Sequence, residues 1–132
     1  MNARRVLRAA ALGIVAAVAM LIAEGQGIAA GNPIKVGDLN SYTRLPAFTI
    51  PYRHGWQMAI DEINATGGVL GRPIQVISRD DGGEPGDAIT AANELVSREG
   101  VMLLFGTLLS NVGLAVSDFA HQKKIVFLAA EP

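Results

Sequence analysis

From residue 34 onward the apolar residues alternate between short continuous runs and longer stretches in which they recur at helical spacing. The runs at 34–39, 73–78, 101–105 and 125–129 predict four strands. Three amphipathic patterns separate them. The first begins near Pro51, sets Tyr52, Trp56, Ala59, Ile60 and Ile63 on one face, and stops at Gly67-Gly68, where a left-handed turn can end a helix. The second opens at Glu84-Pro85, turns Ala88, Ala92, Leu95 and Val96 inward, and closes at Gly100. The third, over 111–122, repeats the spacing with Val112, Ala115, Val116 and Phe119. The last two strands are unbroken apolar runs, the pattern of strands covered on both faces. Strands alternating with helices predict an α/β domain: an open parallel sheet with right-handed crossovers, helices on both faces and the flavodoxin-like order 2-1-3-4.

The first 30 residues do not belong to that pattern. Arg4, Arg5 and Arg8 precede an uncharged apolar run of about 15 residues and then small residues around Gly27-Ile28-Ala29-Ala30. This is the layout of a cleaved signal peptide, and the run is shorter than the roughly 20 residues of a spanning helix. Residues 31–132 are then the mature, soluble, exported part. The 132-residue chain has no cysteine, which excludes disulfides, thiolate metal sites and lipid attachment through cysteine. From Gly31 on, eight basic residues face eleven acidic ones, so no basic face for nucleic acid is offered.

In open parallel sheets ligands bind beyond the carboxyl ends of the strands, where the strand order reverses. Here that switch lies between the first and third strands. Three loops become candidates: the one holding Ser41 and Tyr42, the one from Gly106 to Asn111, and Ala130-Glu131. Ser110 stands before the third helix, where a serine caps backbone N–H groups and the helix end favours an anion, so it is either a cap or a ligand contact. Tyr42 is either an aromatic wall or a surface tyrosine, and Glu131 either a receiver for a ligand amine or a solvated acid. Asp80-Asp81, followed by Gly82-Gly83, reads as a turn that also caps the second helix rather than a calcium site. Asp61-Glu62 point apart on a helix and form a solvated pair. Ser110 and His121 lack the Gly-x-Ser-x-Gly elbow of a hydrolase. Gly67-Gly68-Val69-Leu70-Gly71 follows a helix and precedes a strand, the reverse of a phosphate loop. No cofactor is called for.

The run from Gly55 to Asp87, a helix followed by Asn64-Ala65-Thr66-Gly67-Gly68-Val69-Leu70-Gly71-Arg72, a strand and Asp80-Asp81, resembles the first lobe of type I periplasmic solute-binding proteins of ABC importers, the leucine/isoleucine/valine-binding family. The echo at Gly106 to Ser110 belongs to the same resemblance. It implies a protein without enzymatic activity that captures amino acids or related small polar solutes in the periplasm for an inner-membrane ABC permease. An extracytoplasmic ligand-sensing domain would share the fold. It further implies that Ser110 holds the α-carboxylate or α-amino group of an amino acid, with Asn111 adding a backbone donor. Ala129-Ala130-Glu131-Pro132 departs from the small residues and threonine of amino-acid binders. The chain stops after its fourth strand, so a partial first lobe over residues 31–132, without the second lobe, is expected.

Overall fold

The computed structural model describes residues 31–130. The signal peptide expected over residues 1–30 and the candidate Glu131 lie outside the described residues. Strand β1 (Ile34–Asn40) leads into helix α1 (Pro46–Ala65) and strand β2 (Ile74–Asp80). Helix α2 (Pro85–Glu94), continued by a π-helical turn (Leu95–Glu99), precedes strand β3 (Leu103–Gly106), helix α3 (Ser110–Lys123) and strand β4 (Val126–Ala129). Every pairing is parallel and the order is β2-β1-β3-β4, as the pattern predicts.

Two boundaries differ for physical reasons. Helix α1 starts at Pro46, not near Pro51, because Pro46 supplies the fixed φ of a first helical turn while Pro51 is carried inside the helix. Pro51 forfeits one hydrogen bond, and both it and Ala47 are exposed, so water can take the freed carbonyl. The second helix does not run unbroken to Gly100: its last turn widens, the Val101 N–H reaches back to the Leu95 carbonyl at 3.2 Å, and Gly100 closes the turn at φ 70°. The Lys35 ammonium donates to the Glu99 carbonyl at 2.9 Å and so takes one of the carbonyls freed there.

Register decides what each face of the sheet presents. Ser78, Asp38, Phe105 and Leu128 form one row across it, and Ile77, Gly37, Leu104 and Phe127 form the next row on the opposite face. Helices α2 and α3 pack together over the second face, where Leu39, Leu95, Leu104, Val112 and Val116 are fully buried. Helix α1 covers the first face only in part: Trp56 is half-buried and meets Phe105 edge to face at 6.0 Å. The expectation that β4 is covered on both sides is not met among the described residues, since Val126 is 59 % and Leu128 57 % exposed.

Two backbone features are strained. Val69 and Arg72 exchange backbone hydrogen bonds around Leu70 (φ 53°) and Gly71 (φ 74°), a two-residue turn that requires left-handed geometry at both central positions. Leu70 is 96 % exposed and gains no burial for that conformation. Gly106 sits at φ 114°, and a β-carbon there would lie 2.2 Å from the Leu39 carbonyl oxygen. We expect Leu70→Asn to raise unfolding stability in urea by about 1 kcal/mol, because asparagine tolerates the left-handed region. Gly106→Ala should lower it by more than about 2 kcal/mol, since both the contact and the φ oppose a side chain. An unchanged midpoint in either case would contradict this account of the turn or of the β1–β3 seam.

Candidate functional site

The carboxyl ends of β1, β3 and β4 are joined by backbone. The Thr107 N–H donates to the Leu39 carbonyl at 2.6 Å, and the Ala130 N–H to the Gly106 carbonyl at 3.0 Å. Thr107 itself is buried at φ 65°, an unusual conformation for a β-branched residue, and it turns the chain out of β3 toward α3. The strand order reverses here, between β1 and β3, and of the third candidate loop Ala130 lies beside the end of β3.

Helix α3 opens toward this edge. Ser110 is its first residue, after Leu109 in extended conformation, and no side chain caps the helix. The capping role weighed for Ser110 is therefore not the one it takes. Its hydroxyl makes no hydrogen bond among the described residues, and both Ser110 and Asn111 are exposed. Uncapped N–H groups at the start of a 14-residue helix, beside a free hydroxyl, favour an anionic group such as a carboxylate. Ser110, Leu114 and Ser117 share one face of α3 and, with Thr107, Phe127 and Ala129, line a cleft of about 390 Å³. Ala130 is exposed at the end of β4.

The loop after β1 is different in kind. Tyr42 is not a surface residue: it is 8 % exposed, its hydroxyl donates to Asp38 Oδ2 at 2.6 Å, and the Arg53 guanidinium lies 3.7 Å from its ring centroid. Ser41 is fully buried and donates to Asp81 Oδ1 at 2.6 Å. Both hydroxyls are thus engaged within the protein. Asp81 also accepts from the Gly83 N–H at 2.8 Å, and Asp80 accepts from the N–H groups of Thr43 and Gly82. The aspartate pair shapes its turn, as expected, but does not cap α2, whose N-cap is Glu84 with no side-chain cap. Instead it binds the neighbouring loop to the turn, because the Ser41 hydroxyl and Thr43 N–H take its oxygens. The salt bridge between Arg44 and Glu84 spans the same two loops.

The sequence reading did not single out Asp38, Arg53 or Thr107. Asp38 carries a signal in retrospect, a carboxylate in the middle of a central strand. Thr107 carries none, because its φ is set by the β1–β3 seam. Burial pushes the Asp38 carboxyl above its ordinary range, against the opposing pull of Ser78, Tyr42 and Arg53. Burial and the Asp38 carboxylate together raise the Tyr42 phenol. For Asp80, burial is outweighed by hydrogen bonds from Thr43 and Gly82, which hold its carboxyl low.

The fold is that of an open α/β lobe whose strands end on one edge. The sequence profile of the periplasmic binding protein family matches residues 33–132, and the chain belongs to that family. It is 36 % identical over 76 residues to the Leu/Ile/Val-binding protein BraC3 of Rhizobium johnstonii, a stretch that is 58 % of this chain and 20 % of that protein. A Leu/Ile/Val-binding protein homologue of Brucella melitensis is 28 % identical over 118 residues, 89 % of this chain and 32 % of its own. Among solved structures, the branched-chain amino acid transporter substrate-binding protein LivJ of Streptococcus pneumoniae, in complex with isoleucine, superposes with a TM-score of 0.71 at 28 % identity. That match covers 75 % of this chain and 29 % of LivJ. The chain spans about a third or less of the length of each of these relatives.

The buried carboxylates dictate a pH dependence. Asp38 has a raised folded pKa, so between about pH 4, its unfolded value, and that folded value the native state holds a proton the unfolded chain has lost. Its contribution is fully present below about pH 4 and is lost as pH rises through the folded value. Asp80 acts oppositely, and its contribution is lost as pH falls below about 4. Urea unfolding of Asp38→Asn across pH 4 to 7 should show a smaller loss of stability than the parent protein (window set by about the reference carboxylate pKa). Parallel pH profiles for the two proteins would rule this out.

Proposed function

We propose that this protein is the substrate-binding component of an ABC importer, capturing amino acids, branched-chain ones first, or related small polar solutes in the periplasm. The observation that carries the proposal is the uncapped amino end of α3 at the β1–β3 switch point, with the Ser110 hydroxyl unpartnered beside it. An amino acid offers a carboxylate to those N–H groups and to Ser110, while Asn111 adds a backbone donor. Ala130 stands at the same edge, and Glu131 follows it in sequence as a carboxylate for a ligand amine. The relatives, Leu/Ile/Val-binding proteins and a binding protein in complex with isoleucine, point to the same ligand class.

In this reading residues 1–30 export the protein and residues 31–132 serve as the first wall of a two-walled cleft. The closed, liganded form is what an inner-membrane permease recognises. The protein works by binding rather than by turnover.

A single cleft wall makes few contacts with a ligand, so amide chemical shifts rather than calorimetry suit a test on residues 31–132. Addition of millimolar L-leucine to the isotope-labelled protein should move the resonances of Ser110, Asn111 and Ala130 and leave Leu70, at the opposite edge, unmoved. Ser110→Ala should weaken the response about 10-fold, the loss of one hydrogen bond to a charged group. No response at the α3 amino end, or the same response in Ser110→Ala, would refute this assignment.

A further inference from the structure

Asp38 is buried in a central strand at a position that packing alone would fill with valine or isoleucine. Three elements meet at its carboxylate. The loop after β1 contributes the Tyr42 hydroxyl and β2 contributes the Ser78 hydroxyl, both donating to Oδ2, while Oδ1 has no partner. From α1, Arg53 caps the Tyr42 ring and donates to Ser78 Oγ at 3.0 Å. Asp81 opposes the charge from the neighbouring loop.

Resting on the reading of this edge as a ligand site, we propose that Asp38 is a positioning residue which, through Tyr42, holds the Ser41–Leu45 loop in place beside the β1–β3 switch point. The loop leaves β1 directly; within it Tyr42 N–H donates to the Asn40 carbonyl and Leu45 N–H to the Ser41 carbonyl, each at 2.9 Å. Ser41, Thr43 and Arg44 tie it to the β2–α2 turn, while the Tyr42 side chain ties it to β1 and α1. The Asp38 bond holds the tyrosine buried beneath Arg53. The loop then presents no aromatic ring to a ligand. A Tyr42 released from Asp38 would be free to swing across the edge and narrow it.

Amide hydrogen exchange in the protein and in Asp38→Asn, Asp38→Leu and Tyr42→Phe tests this without any ligand. Exchange at Tyr42 and Leu45 should accelerate about 10-fold in Asp38→Leu and Tyr42→Phe, as for one lost buried hydrogen bond, with the Leu104 amide unchanged. Asp38→Asn keeps an acceptor oxygen and should stay near the parent rate. Loop exchange within about twofold of the parent in Tyr42→Phe overturns the proposal, and that variant decides the matter if Asp38→Leu does not fold. Titration with L-leucine separates the two readings. A loosened loop in a protein whose amides ignore L-leucine keeps the positioning role and removes the ligand assignment, whereas an unmoved loop with an intact Ser110 response does the reverse.

Discussion

A carboxylate taken out of water must find donors, and at the carboxyl edge of this sheet Asp38 and Asp81 take theirs from Tyr42, Ser78 and Ser41. These bonds are not local decoration. Each joins segments about 40 residues apart or ties a loop back to its own strand. They hold the β1–α1 loop against the β2–α2 turn, where Asp80 and the Arg44–Glu84 pair add further ties. The loop's polar side chains are consumed in that task. The exposed end of α3 therefore carries the chemistry left available at this edge.

The two faces of the sheet are stabilised differently. Beneath α2 and α3 the core is apolar and closed, built on Leu39, Leu95, Leu104, Val112 and Val116. Beneath α1 the same sheet carries the Asp38 network at its carboxyl end and a half-open apolar surface toward β4. Thr49 is the one residue of α1 that is buried. The closed face accounts for most of the hydrophobic stabilisation, because that term follows the apolar area removed from water.

Strain concentrates where the strand order reverses. Gly106 permits a close approach to the Leu39 carbonyl, and Thr107 follows in a conformation that costs energy for a β-branched side chain. The result is a turn tight enough to bring the start of α3 beside the end of β1. A helix end left uncapped at this point loses the stabilisation that a cap would provide. That loss is tolerable where a ligand can supply the missing acceptor, which is the physical core of the functional reading.

Fold class, strand order and the positions of all four strands were legible in the sequence, because parallel strands and amphipathic helices write their periods directly into the chain. So were the switch point between β1 and β3 and the placement of Ser110 at the start of a helix. Other features were not. The start of α1 depended on which of two prolines took the first turn, Pro46 or Pro51. The inward turn of Tyr42 depended on Asp38 in β1, four residues back, and on Arg53 from α1. The Ser41–Asp81 bond and the φ of Thr107 depended on contacts between strands distant in the chain. Periodicity is a local property and determined the elements; the partners of buried polar groups are set by register between strands, and only the tertiary structure decided those.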